Sequence, residues 1–230
     1  MPAGARMAAQ VPGLGSDTRC STWSRAMAAR PAGCQVTALN LSEKENARHR
    51  EMNREQGLDH LIEVVDGSFE AVPYPDGVFD LVWSQDAILH SGLRARVVAE
   101  AARVLRHGGD FVFTDPMQAD DCPEGVLRPV LERIHLESLG SIGFYNETAA
   151  RHGLAASAAI ETTENLVTHY GRVCEKLAQA REALAGKVSD VYLDRMLDGL
   201  GHWVDAGTAG YLRWGILHFK KHALTTAIAA

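Results

Sequence analysis

The stretch CQVTALNLSEKENARHREMNREQGLDHLIEVVDGSFEAVPYPDGVFDLVWSQ, residues 34–85, decides the fold. Cys34 to Leu39 reads as a short buried strand. Ser42 stands where a helix cap belongs, with Glu45 as its capping-box partner, so the polar run that follows reads as helix. Leu61 to Val65 is a second strand, Val72 to Asp76 with Gly77 a turn-rich loop, and Phe79 to Ser84 a third strand. Further on, Leu93, Val97, Ala101 and Leu105 recur at a helical period and mark one apolar face. His107-Gly108-Gly109 is expected to end that helix, because glycine accepts a left-handed cap. Phe111 to Thr114 follows as a fourth strand. This mainly alternating order predicts a largely parallel sheet with helices on its faces.

Ligands of such sheets bind beyond the carboxyl ends of the strands. Asn40, Asp66, Gln85 with Asp86, and Asp115 all fall there. One polar strand end is ordinarily a helix cap or a loop residue. Four that carry carboxylates or amides point to a ligand site. In the second half, Leu166, Tyr170, Val173 and Leu177 form one helical stripe, and Tyr192, Met196, Leu200 and Trp203 another. Both read as core packing. Leu212 to Lys220 reads as a last strand at or near the sheet edge.

The chain has 230 residues, 46% of them hydrophobic and 23% charged, which suits a soluble globular protein. A net charge of -6 argues against nucleic acid as a partner. No apolar run reaches the roughly 18 residues that span a bilayer, so no membrane partner is expected. Cys20, Cys34, Cys122 and Cys174 form no CxxC pair, which fits a reducing cytoplasm better than a disulfide scaffold or zinc ribbon. No HExxH or tight Cys/His cluster suggests a metal. Acidic neighbours in Asp120-Asp121-Cys122 should raise the thiol pKa and oppose nucleophilic use. Residues 1–33 are rich in Ala, Arg, Gly, Pro and Met and make a poor secretory signal.

Taken together, residues Cys34 to Asp115 resemble the Rossmann-like S-adenosylmethionine-dependent methyltransferases. The spacing of Asn40, Asp66-Gly67-Ser68, Pro73-Tyr74-Pro75-Asp76, Phe79-Asp80 and Val104 to Gly109 carries the likeness. A closer resemblance is to the bacterial sarcosine/dimethylglycine N-methyltransferases that make glycine betaine. It rests on Asn40 to Asn46, Trp83 to Ser91, Thr114 to Gln118, Leu131 to Leu136 and Leu166 to Tyr170, and spans most of Cys34 to Lys220. The run Asp115-Pro116-Met117 suggests the branch that methylates dimethylglycine.

The resemblance implies an α/β fold with a mostly parallel, seven-stranded type of sheet and helices on both faces. It also implies S-adenosyl-L-methionine as cofactor and a small amine, dimethylglycine or sarcosine, as partner. Asn40 would meet the ribose, although it serves equally well as a helix-start residue. Leu41 would lie against the adenine, Asp66 would accept from the adenine amino group, and Gly67 or Ser68 would donate to a ring nitrogen. Gln85 would lie near the sulfonium. Asp86 and His90 would line the substrate mouth, and Pro116 and Met117 would shape the amine pocket. Arg128, Arg133 and Arg213 are candidates for the substrate carboxylate, and Tyr145, Trp83 and Trp214 for the methylated ammonium. No acid or base is expected to take part in catalysis, because the free base of a tertiary amine has no proton to lose after attack.

The N-terminal part departs from the family. Its first strand and glycine loop should precede Cys34, yet only Gly13 and Gly15 suit a loop against the cofactor, and Asp17 and Arg19 stand where glycines are expected. The first strand and the N-terminal cap are therefore expected to be incomplete. Residues 1–33 form an irregular segment, and 34–230 a methyltransferase domain with a helical insertion over about 120–205. Suitable codons for Cys20 to Trp23, read two bases later, spell Leu-Asp-Leu, the usual start of the family's motif. The expectation is a reading-frame error or truncation in the source gene. Two other readings are methylation of another small molecule at oxygen or carbon, and a degenerate fold that binds without turnover.

Overall fold

The computed structural model describes the backbone of residues 6–10 and all of residues 34–222. In chain order these hold β1 Arg6–Gln10, β2 Gln35–Asn40, α1 Glu43–Glu55, β3 Ile62–Asp66, β4 Phe79–Gln85 and α2 Arg94–Val104. There follow β5 Leu105–Gln118, α3 Arg128–Ile134, α4 Ile142–Arg151, β6 Leu154–Glu161, α5 Thr163–Gln179, α6 Arg181–Leu184, α7 Asp190–Thr208 and β7 Leu212–Lys221. The strands form one seven-stranded sheet in the order β3-β2-β1-β4-β5-β7-β6. The pairs β3–β2, β2–β1, β1–β4 and β4–β5 are parallel.

A first strand is thus present, against the expectation that it is incomplete. Arg6–Gln10 lies between β2 and β4, with Met7 opposite both Val36 and Leu81. Gly13 and Gly15, the expected loop against the cofactor, lie outside the described residues, as does the rest of 11–33.

The chain forms two compact units. One comprises Met1–Asp115, Tyr145–Ala159 and Ile216–Ala230; the other comprises Pro116–Phe144 and Ile160–Gly215.

In the first unit, Val36, Thr37, Ala38 and Leu39 are consecutive and all buried. That pattern belongs to a parallel strand covered on both faces. Ser42 caps α1 and accepts from the Glu45 amide at 3.4 Å. Only this half of the expected box forms, since the Glu45 carboxylate accepts from Asn40 Nδ2 at 2.9 Å and the Ser42 amide goes to Asn40 Oδ1. On α2 the buried side chains are Val97, Val98, Glu100, Ala101, Ala102 and Val104. Leu93, expected on this face, is 60% exposed because it precedes the first turn as the N-cap.

The helix ends at Val104, ahead of the glycines. Leu105 already pairs with Phe79, whereas Asp110 pairs with Leu81, so the intervening residues bulge out of β5. Gly108 supplies a positive φ of 74° in that bulge. A Cβ on Gly109 would stand 2.9 Å from the Arg106 carbonyl oxygen and 3.0 Å from that of Asp80. The glycine pair thus shapes a bulge rather than a helix cap.

In the second unit, the Tyr170 ring of α5 stacks on Trp203 of α7, with centroids 4.8 Å apart. Leu166, Leu200 and Trp203 are buried, as their stripes suggested. Val173 and Tyr192, expected in the same core, are 37% and 46% exposed, so packing is confined to part of each stripe.

Candidate active site

Because β3, β2, β1, β4 and β5 are successive parallel neighbours, their carboxyl ends form one edge of the first unit. Asn40 lies opposite Asp66, Gln10 opposite both Leu39 and Ser84, and Gln85 opposite Thr114. At about 4.8 Å per strand, the row from Asp66 to Thr114 spans roughly 19 Å. Strand order reverses between β1 and β4, the switch point at which open α/β sheets bind ligands.

At one end stands Asp66. Asn46 of α1 is buried, and its Nδ2 donates to Asp66 Oδ1 at 2.7 Å and to the Asn40 carbonyl at 2.9 Å. Arg50 donates to Asp66 Oδ2 at 2.6 Å. The bond from Asn46, and then that from Arg50, hold the carboxyl below its ordinary pKa. A carboxylate has about four acceptor positions, so Asp66 retains capacity for a further donor.

Asn40 serves as the helix-start residue. Its Nδ2 is given to Glu45, and its Oδ1 accepts from the Ser42 amide at 3.4 Å, which leaves one lone pair on that oxygen. Leu41 beside it is 65% exposed, a large apolar surface at the strand end. The Gly67 amide donates to the Asn40 carbonyl at 3.1 Å, which removes Gly67 from the expected ring donors. The Ser68 amide has no partner among the described residues, and the Ser68 Oγ accepts from the Glu70 amide at 3.1 Å.

At the other end, β4 leaves the sheet at Gln85, and Asp86 takes a left-handed φ of 46°. Its amide donates to the Thr114 carbonyl at 2.8 Å. A 3-10 turn, Ile88–His90, follows. His90 is exposed, and partial desolvation of its ring lowers its pKa.

Asp115 is fully buried beneath this turn. Its Oδ1 accepts from the Leu89 amide at 3.0 Å and its Oδ2 from the Tyr145 hydroxyl at 2.7 Å. Burial pushes its pKa up to about 7 against the pull of those two bonds, and the Asp86 charge adds to the rise. Burial and the Asp115 charge push the Tyr145 hydroxyl up as well. Two further buried hydroxyls on this edge, Ser84 Oγ and Thr114 Oγ1, have no partner among the described residues.

Pro116 and Met117 continue β5 and belong to the second unit, where both are buried. Of the three candidate arginines there, Arg128 donates to Glu132 at 2.7 Å, and Arg213 is held by the Gly210 carbonyl at 2.6 Å and by Glu161. Arg133 has no hydrogen bond or ion pair among the described residues, and its buried Nε is unsatisfied. Its stem lies against Gly199, where a side chain would collide with it. Burial and then the Asp121 charge raise the Cys122 thiol pKa, in the expected direction.

The structure thus brings together Asn40, Leu41, Asp66 and Ser68 at one end of the row and Gln85 and Asp86 at the other. Sequence reasoning missed Asn46, Arg50 and the Asp115–Tyr145 pair. An asparagine within a polar helix carries no sign of burial, and Tyr145 lies 30 residues beyond its partner.

The methyltransferase domain family matches residues 19–113 of the chain. The chain is 59% identical over 189 residues to the sarcosine/dimethylglycine N-methyltransferase of Halorhodospira halochloris, covering 82% of this chain and 68% of that protein. Among solved structures it is similar to a putative sarcosine dimethylglycine methyltransferase from Galdieria sulphuraria. That similarity has a TM-score of 0.85 at 32% identity and covers 96% of this chain and 80% of the other. A phosphoethanolamine N-methyltransferase 2 from Haemonchus contortus, solved in complex with S-adenosyl-L-methionine, shares the fold at a TM-score of 0.78 and 19% identity. That match covers 96% of this chain and 50% of the other.

Proposed function

The chain belongs to the sarcosine/dimethylglycine N-methyltransferase family, and from that membership we propose that it converts dimethylglycine, and sarcosine before it, to glycine betaine with S-adenosylmethionine as methyl donor. The observation that carries this reading is the row of strand ends, with an ionised carboxylate at one end and the Gln85–Asp86 turn at the other.

The residues present fit the adenosine half of the donor. Asp66 keeps acceptor capacity, Ser68 keeps an amide donor, Asn40 keeps a lone pair for a ribose hydroxyl, and Leu41 presents apolar surface to a base. The orphaned hydroxyls of Ser84 and Thr114 lie on the same edge. When bound, S-adenosylmethionine supplies an electrophilic methyl group on a sulfonium, which an amine takes by in-line displacement to leave a neutral thioether. The remaining work of the chain is to align the amine and strip it of water. We assign Gln85 to the sulfonium end. Asp86 and His90 are assigned to the amine. None of these residues needs to accept a proton when the amine is tertiary. After attack by sarcosine the proton passes to water.

No helix among the described residues is long and apolar enough to cross a membrane. Cys34, Cys122 and Cys174 are free thiols, which supports a cytoplasmic site of action. In this reading the product serves osmoprotection. The test is methyl transfer from S-adenosylmethionine to dimethylglycine, sarcosine and glycine in parallel. Turnover of the first two supports the reading; transfer to neither by a folded chain that binds S-adenosylhomocysteine rejects it.

A further inference from the structure

The carboxyl of Asp115 does not reach solvent, and yet it is bonded to two elements that leave the sheet beside the candidate site. Oδ1 receives the Leu89 amide from the turn after β4, and Oδ2 receives the Tyr145 hydroxyl from α4. All three residues belong to the first unit.

The turn it holds needs holding. Asp86 sits at a φ of 46°, uncommon for a residue other than glycine and stable only where its surroundings fix it. Its amide is tied to the Thr114 carbonyl, one residue before Asp115. Beyond it, Ala87, Ile88 and Leu89 are 3%, 0% and 4% exposed, so the turn is packed as well as bonded. The carbonyl of Leu89 accepts from Arg94 at 3.4 Å, which secures the peptide on its other side. On the far side of Asp115, the Tyr145 ring packs edge-on against Phe113, with centroids 4.9 Å apart.

We propose that Asp115 is a positioning residue for methyl transfer: its two carboxyl oxygens lock the Asp86–His90 turn to β5 and α4, and so fix the groups that meet the amine. This rests on the functional reading above. Asp115 touches neither donor nor amine; it acts through the Leu89 amide and the Tyr145 hydroxyl. What matters is the pair of hydrogen bonds and not the charge. An asparagine of the same shape can accept from Leu89 through its oxygen and donate to the Tyr145 oxygen through its nitrogen. An alanine can do neither and leaves two buried donors unpaired.

The experiment compares the native chain with Asp115→Asn, Asp115→Ala and Tyr145→Phe. Each is assayed for dimethylglycine kinetics, S-adenosylhomocysteine affinity and amide hydrogen exchange over residues 86–91. We expect Asp115→Ala to lose at least 30-fold in kcat, with S-adenosylhomocysteine affinity within about twofold of native and exchange over 86–91 accelerated. Asp115→Asn should recover to within about threefold of native kcat with native exchange, and Tyr145→Phe should fall between. If Asp115→Ala does not fold, the Asp115→Asn and Tyr145→Phe pair decides by the same criteria. The proposal is overturned if Asp115→Asn is folded, protected over 86–91 and as inactive as the alanine variant, since the charge itself would then be required. It is equally overturned if exchange over 86–91 is native in the alanine and phenylalanine variants. Should the native chain methylate no amine, the functional reading fails, and the exchange comparison still decides whether Asp115 holds the turn.

Discussion

Asn46 and Asp66 stand 20 residues apart in the chain, and a hydrogen bond of 2.7 Å joins them. The same Asn46 amide group holds the Asn40 carbonyl, so one buried side chain fastens α1 to the ends of two strands. Those ends carry the groups assigned to the adenosine. Replacing Asn46 with alanine leaves Asp66 Oδ1 without its donor and the Asn40 carbonyl with the Gly67 amide alone. We expect a loss of about 1–3 kcal/mol in urea unfolding. Calorimetry should show S-adenosylhomocysteine affinity reduced several-fold more than by Arg50→Ala, whose bond to Asp66 is exposed.

Asp115 makes stability depend on pH in a direction opposite to that of most acids. Its folded pKa of about 7 lies above the ordinary value for aspartate, so the folded state binds the proton more tightly than the unfolded chain. That contribution is complete below the unfolded pKa and is lost as pH rises through the folded one. Measured against Asp115→Asn, the native chain should lose about 2 kcal/mol of unfolding free energy between pH 5.5 and 8. A flat difference over that range contradicts this.

Glu100 and Arg103 of α2 bolt down the loop after β3. Glu100 is 5% exposed and accepts from the Val72 amide at 2.9 Å, while Arg103 donates to the carbonyls of Val72 and Tyr74 and to Asp76. The bond from Arg103 is the largest influence holding the Glu100 carboxyl below its usual pKa, so its stabilisation is present above that pKa and fades as pH falls. Arg103→Ala leaves the buried carboxylate only the Val72 amide and Arg96, 3.8 Å away, and should cost about 1–3 kcal/mol in chemical denaturation at neutral pH. The cost should shrink toward pH 4.

The two close-packed glycines of the first unit should differ under substitution. A Cβ at Gly67 would meet the Leu39 Cδ1 at 2.9 Å, the end of a side chain that can turn away, whereas at Gly109 it meets backbone oxygens. Gly109→Ala should therefore lower the melting temperature by several degrees more than Gly67→Ala, as read by calorimetric scans.

Much of the first unit is legible in the sequence because its strands are apolar runs bounded by polar residues. Two strands were not. Arg6–Gln10 is short and mostly polar or alanine, with little intrinsic strand preference, and its pairing with β2 and β4 reveals it. Leu154–Glu161 is alanine-rich and exposed beyond its first residue, so it shows no alternation to read. At the site, Asn40 and Asp66 stood out as polar strand ends. The commitment of the Gly67 amide, the burial of Asn46 and the Asp115–Tyr145 bond depend on partners distant in the chain.

The most direct test of the central claim is detection of glycine betaine by proton NMR when the 230-residue chain is incubated with S-adenosylmethionine and dimethylglycine. The account predicts glycine betaine and S-adenosylhomocysteine in equal amounts, with a rate that falls at least tenfold in Asp66→Ala. A folded chain that forms no glycine betaine, or forms it unaffected by Asp66→Ala, contradicts it.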